Sequence, residues 1–156
     1  MTHMRILTVT ALVLMMVATL TNPSAFGQAA TTNGGTMPYK TGNPADWPKE
    51  SDAVIAAPKN HKVLMENDHV RVLDVTIPPG EKEPLHSHRW PSVLYIISAG
   101  DFVDRDGEGH VILDTRTLKE PLKLPLTMWK EPEAPHSAEN LSKTITIHLI
   151  RVEIKK

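Results

Sequence analysis

From Val70 to Ile77 the chain reads with a period of two. Val70, Val72, Asp74 and Thr76 fall on one side, and Arg71, Leu73, Val75 and Ile77 on the other. Successive side chains of an extended backbone point to opposite faces, so this spacing predicts a strand with two different surfaces. Residues 144–155, TITIHLIRVEIK, carry the longest and clearest alternation in the chain. Residues 92–98, SVLYIIS, are β-branched and aromatic, which predicts a buried strand. Shorter candidates lie at 63–66, 101–104, 110–115 and 124–129. Asn67-Asp68, Pro78-Pro79-Gly80 and Asp106-Gly107 interrupt them, the last a strong hairpin signal. With 13 prolines, turns throughout and almost no helical pattern, the fold is expected to be all-β. Six to nine short strands would form an antiparallel β-sandwich or barrel.

At 156 residues the chain has room for one domain. Its start reads differently from the rest. Residues 6–20 are free of charge, follow Arg5, and end at Thr21-Asn22-Pro23-Ser24 and the small residues around Ala25-Phe26-Gly27. That is the layout of a secretory signal peptide, and the apolar run falls short of the ~20 residues that span a bilayer. Residues 1–27 are therefore expected to be cleaved, leaving a periplasmic or secreted protein with no membrane contact. Residues 28–60 are read as a flexible N-terminal arm with Trp47 as its first anchor. Within it, 52–57 is open between one helical turn and an extended segment. Residues 61–156 are the expected barrel domain.

Lys and Arg number 17 against 18 Asp and Glu, with no basic run, which argues against nucleic acid as a partner. There is no cysteine, which excludes disulfides, thiolate metal sites and Cys nucleophiles. Eight histidines turn attention to imidazole chemistry.

His86 and His88 are two apart. On an extended backbone both rings point to one face, with Cα atoms about 6.5–7 Å apart, close enough to share one metal ion. His136 completes a set of three if its strand lies alongside. Imidazole donors suit several transition metals, and spacing does not choose among them.

The order Gly80-x5-His86-x-His88, followed by an apolar strand and Gly100, resembles the first motif of the cupin superfamily, G-x5-H-x-H-x3-4-E-x6-G. His136-x3-Asn140 resembles the end of the second, G-x5-P-x-G-x2-H-x3-N, although its glycines are missing and Pro132 and Pro135 stand in that region. The resemblance spans about residues 63–154. It implies a double-stranded β-helix, a jelly roll of two packed antiparallel sheets with a metal inside. It also implies His86, His88 and His136 as ligands of a divalent transition metal (Fe, Zn, Ni, Cu or Mn). Gly80 would turn the chain before the ligand strand, and Asn140 would tie the loop after the third ligand.

One departure stands out. The family's fourth ligand is a glutamate, and the matching positions here are Ser92 and Val93. Three neutral imidazoles leave a bound M²⁺ its full charge and more open positions. Glu81 and Glu83 are candidates for a substitute ligand or base, although turn carboxylates are usually solvated. Tyr95, on the strand after the ligand pair, is the candidate catalytic proton donor, weighed against a core aromatic. Trp90 and Trp129 are expected to fill core. His148 reads as structural, His61, His69 and His110 as surface, and Asp101, Asp104, Asp106 and Asp114 as solvated turn residues. The function expected is a metal-dependent, dioxygenase-like oxidoreductase, or an isomerase or lyase, acting on a small molecule. The alternative is a non-catalytic module binding a metal or small molecule on the same scaffold. A homodimer is expected in either case.

Overall fold

The computed structural model describes residues 42–155. The expected signal peptide, and the arm as far as residue 41, lie outside the described residues.

Nine strands form two sheets. They are β1 (His61–Glu66), β2 (Val70–Ile77), β3 (His86–His88), β4 (Ser92–Ser98), β5 (Phe102–Asp106), β6 (Val111–Asp114), β7 (Leu126–Lys130), β8 (Glu133–Asn140) and β9 (Ile147–Ile154). One sheet has the order β1-β2-β9-β4-β7, the other β3-β8-β5-β6, and every strand pair is antiparallel. This is the expected all-β architecture.

Strand β2 follows its sequence pattern: Arg71, Leu73, Val75 and Ile77 are buried, and the alternate residues are half-exposed. It pairs with β9 in unbroken register, Leu73 opposite Arg151, Val75 opposite Leu149, Ile77 opposite Ile147. The apolar core is made from Leu73, Val75, Ile77, Leu94, Ile96, Val103 and Ile147. Burying a side chain of this size contributes about 1.5–3 kcal/mol. The strand at 92–98 is buried on one side only, because Tyr95 and Ile97 face out.

Turn chemistry sets the connections. Gly80 has φ +74°, a left-handed conformation that favours glycine, and its N–H donates to Asn140 O at 3.0 Å. The β5–β6 hairpin is longer than a two-residue Asp-Gly turn. Gly109, not Gly107, holds the left-handed position, and Asp106 and His110 close the loop.

The segment 42–60 corrects the expectation of a flexible arm reaching residue 60. A one-turn helix, α1 (Ala53–Ala56), is capped by Asp52, whose side chain accepts from Val54 N at 3.2 Å. Ala53 and Ala57 are fully buried, and Ser51 Oγ meets Ser87 Oγ at 2.7 Å on the back of β3. Arg71 reaches out from β2 to hold the Asp52 carboxylate at 3.0 Å.

Candidate metal centre

Strands β3 and β8 place His86 directly opposite His136. The pairing is irregular between His86 and His88, with His88 opposite Glu133. His86 and His88 both turn inward, while Ser87 turns out toward Ser51. A fourth histidine joins them: His61, at the start of β1, is 4 % exposed and lines the same cavity. Ring centroids lie 4.4 Å apart for His61 and His86, 4.6 Å for His86 and His136, and 5.0 Å for His86 and His88. His88 stands 5.2 Å from His61 and 5.6 Å from His136.

All four rings are tied by the same nitrogen. Nδ1 of His86 faces Pro84 O at 2.8 Å, that of His136 faces Ala134 O at 3.1 Å, and that of His61 faces Ala57 O at 3.3 Å. Nδ1 of His88 faces Glu153 Oε1 at 2.7 Å. Carbonyl and carboxylate oxygens only accept, so each Nδ1 carries a proton, and in the neutral ring Nε2 is the nitrogen left with a lone pair. Metal-binding histidines are oriented in this way. Burial also pushes the pKa of His61 down to about 3, and those of His86 and His88 well below the ordinary 6.5. Neutral imidazoles are the form a metal requires.

Carboxylates border the cluster. Glu83 is buried, with Oε1 4.0 Å from His86 Nε2 and Oε2 4.0 Å from His61 Nε2. Burial pushes its carboxyl up to about 7. Ligand-type atoms of His61, His86 and His88 lie within 4.8 Å of one another, as do those of Glu83, His86 and His136. His86 Nε2 and Glu83 Oε2 are buried without a hydrogen-bond partner among the described residues. Buried polar atoms are rarely left so, and here both belong to groups suited to coordinate a cation. The residues present therefore fit a divalent metal.

Behind the rings runs a charged network. Glu153 joins His88 to Arg71, and Arg71 continues to Asp52. Arg151 gives Nη1 to Glu133 Oε2 at 2.7 Å and Nε to Ser92 Oγ at 3.0 Å. Lys130 takes the other Glu133 oxygen at 2.6 Å. These two cations, Arg151 first, hold the Glu133 carboxyl far below the usual carboxylate range against its burial. The cavity has a volume of about 140 Å³ and is lined by the four histidines and by Leu94, Ile96, Phe102, Met128 and Leu149, with Glu83, Asp104, Lys130, Glu133 and Arg151 also in its wall.

Comparison with solved structures places this architecture. A cupin domain from Bordetella pertussis superposes with a TM-score of 0.51 over 62 % of this chain and 92 % of its own, at 23 % identity. The chain has the cupin fold. A double-stranded β-helix cupin-family protein from Methanocaldococcus jannaschii matches at a TM-score of 0.43 and 18 % identity, over 61 % of this chain and 78 % of its own. No protein-family model and no curated protein matches the chain by sequence.

Several expected residues sit elsewhere in this cupin barrel. Tyr95, the candidate proton donor, is 46 % exposed on the outer face of β4, between the inward Leu94 and Ile96. The two-residue period of the strand turns it away from the cavity, which it does not line. His61, expected at the surface, is inside. Asp104 and Asp106 are buried, Asp104 against the cavity and Asp106 closing the hairpin. Trp129 is half exposed, and Trp90 stacks under Arg71 at 4.8 Å. His148 pairs with Asp74 at 2.7 Å on the outer face. His69 and His110 are exposed, as expected. Glu83 is buried and Glu81 exposed.

Two motif departures now have a structural form. Ser92, at one of the two positions where the family carries glutamate, is fully buried and accepts from Arg151. Pro135 lies within β8, which runs on as a strand through it, while Pro132 sits in the short connection between β7 and β8. Asn140 does tie the following loop: its amide donates to Ile77 O at 2.8 Å and Ile145 O at 2.9 Å, and accepts from Ser142 N at 3.0 Å. The sequence reading missed His61, Glu133, Arg151 and Glu153. For the last two a signal existed, since period two puts them on one face with Ile147 and Leu149.

Proposed function

We propose that this cupin barrel binds one divalent transition-metal ion at the cluster of His86, His88, His136 and His61, where His61, His86 and His88 have their ligand-type atoms within 4.8 Å of one another and His136 groups with His86 and Glu83. The metal centre then serves an oxidoreductase of the dioxygenase kind, acting on a small organic molecule in the cavity. One observation carries the reading. Four buried imidazoles each hold a protein acceptor on Nδ1, which leaves four Nε2 lone pairs around one cavity. When bound, the metal would supply Lewis acidity that holds and polarises an oxygen-bearing ligand.

The chain's own residues do the rest. The carbonyls of Ala57, Pro84 and Ala134 and the Glu153 carboxylate hold the rings in their tautomer. Glu83, buried beside His61 and His86 with Oε2 unpartnered among the described residues, is placed to accept a proton from a molecule bound in the cavity. It is one of the two glutamates that the sequence analysis raised as a substitute ligand or base, and its burial beside the histidines favours it over the exposed Glu81. The apolar side chains of the lining, among them Leu94, Ile96, Phe102 and Leu149, would seat a carbon skeleton.

Metal analysis of the purified protein tests the reading. About one transition-metal ion per chain is expected, falling sharply in His86→Ala and His136→Ala. A metal-free protein whose melting temperature ignores added Zn, Ni, Cu and Fe(II) would sink it. Oxygen uptake with a panel of diketones, catechols and flavonols separates enzyme from binder. Ser92 in place of the family glutamate favours the second reading, a non-catalytic binding module. That reading wins if ligands stabilise the loaded protein without oxygen consumption.

The same proposal has the protein exported by residues 1–27 and paired as a homodimer through the outer face that carries Tyr95, Ile97 and Trp129. Fusion of residues 1–30 to a reporter tests export, and cytoplasmic retention would overturn it.

A further inference from the structure

The inner face of β9 forms part of the cavity wall. Ile147 and Leu149 line its apolar part, and Arg151 follows two residues on. Arg151 is 4 % exposed, deep in the barrel and opposite Leu73 and Leu94 on the neighbouring strands. Two of its nitrogens are used, Nε by Ser92 and Nη1 by Glu133. Nη2 is buried and has no partner among the described residues, although the side chain lines the cavity. A guanidinium stays charged at any physiological pH and has no way to shed the unused donor as a neutral group. Leaving such a donor unmet in a low-dielectric interior is costly, more so for a charged group than for a neutral one. Glu133 at 2.7 Å and Glu153 at 3.8 Å stand against Arg151 on its other nitrogens, but both are shared, Glu133 with Lys130 and Glu153 with Arg71, and neither reaches Nη2.

The remaining space sets the size of what would meet that donor. A cavity of about 140 Å³ is close to the engineered apolar cavity of ~150 Å³ that admits benzene. Its walls at Leu94, Ile96, Phe102, Met128 and Leu149 have no charge to offer. An acceptor at Arg151 and an apolar body of six or seven carbons fit together; a long polar chain does not.

We propose that the ligand is a small, otherwise apolar carboxylate, about the size of benzoate, whose anionic group is held by Nη2 of Arg151. The inference deepens the proposed function and rests on it only for the use made of the bound molecule. A charged planar fork is the natural partner of a carboxylate.

Calorimetric titration of the purified protein tests this, with and without zinc, using benzoate, its neutral isostere benzamide, and inorganic phosphate. Benzoate is expected to bind in both states, at least tenfold tighter than benzamide and than phosphate. Arg151→Met paired with Glu133→Gln, which removes this ion pair as a unit, should abolish that preference. Equal binding of benzoate and benzamide overturns the proposal, as does a preference that survives in the paired variant. Should the pair fail to fold, the benzoate-to-benzamide ratio of the unaltered protein decides alone. Benzoate preference without zinc uptake supports this site and removes the metal reading. Zinc uptake without benzoate preference does the reverse.

Discussion

His88 Nδ1 donates to Glu153 Oε1 across 2.7 Å, and neither side chain is open to solvent. The other oxygen of Glu153 takes Arg71, which holds Asp52 at the head of α1. A candidate metal ligand is thereby oriented from outside the cavity. Replacing Glu153 by Gln keeps the shape but leaves one amide edge with the wrong polarity, a donor facing either Arg71 or His88. Metal affinity should fall about 10–100-fold, as for other groups that orient a ligating histidine. Competition against a chelator measures it. An unchanged affinity would show that the carboxylate does not set the ring.

His61 is the imidazole that the sequence motifs did not point to. His61→Ala should weaken metal binding by more than about tenfold, with His86, His88 and His136 intact. His69→Ala is the control, because that ring is exposed and outside the cavity. If the two variants bind metal alike, the sphere consists of three histidines.

The metal-free protein should show a stability maximum near neutral pH. His61 is held at about 3 by burial, and His86 and His88 are also lowered, so the unfolded chain takes up protons first. Stability is then lost as pH falls from about 6.5 toward 3. Glu83 works in the opposite direction. Its folded carboxyl, raised from 4.5 to about 7, keeps a proton that the unfolded chain gives up, so its contribution is present below 4.5 and gone above 7. Glu83→Gln should therefore stabilise the metal-free protein at pH 8, by up to ~3 kcal/mol. Urea melts across the pH range decide, and no gain at pH 8 would contradict the burial argument.

Asn140 is fully buried and satisfies three backbone groups across two loops. Asn140→Ala strands them, and a loss of about 2–4 kcal/mol is expected. Metal stoichiometry should persist under conditions where the variant stays folded. Chemical denaturation and metal analysis of the same sample give both answers.

The outer face around Tyr95, Ile97 and Trp129 is apolar and exposed. Sedimentation should report a dimer, and a Tyr95→Lys, Trp129→Glu pair should shift it to monomer with the metal site intact. A monomer at every concentration would remove the dimer from the proposal.

Legibility in the sequence tracked the chemistry of the face each strand buries. β2 buries Leu73, Val75 and Ile77, so alternation revealed it. β8 does not show as an apolar alternation because Glu133 and His136, which it turns to the cavity, are polar, and Pro135 interrupts any strand-like composition. The proline fits because the strand pattern tolerates the missing donor at an irregular pairing with β3. His86, His88 and His136 were legible through their motif order. Tyr95 was misplaced by treating a one-sided strand as buried on both faces.

What the sequence by itself determined is local: where strands run, which residues alternate, where Gly80 turns the chain, and that His86 and His88 share a face. Which face points inward is not a local property, since period two describes both faces equally. Only the packing of the two sheets decided it. That packing turned Tyr95 out and brought His61, Glu83 and Arg151 to one cavity from separate parts of the chain. The carboxylate missing after the ligand pair is a local fact. That a buried glutamate and a fourth imidazole stand beside the same cavity follows from tertiary structure alone, because strands distant in sequence become neighbours only when the barrel closes.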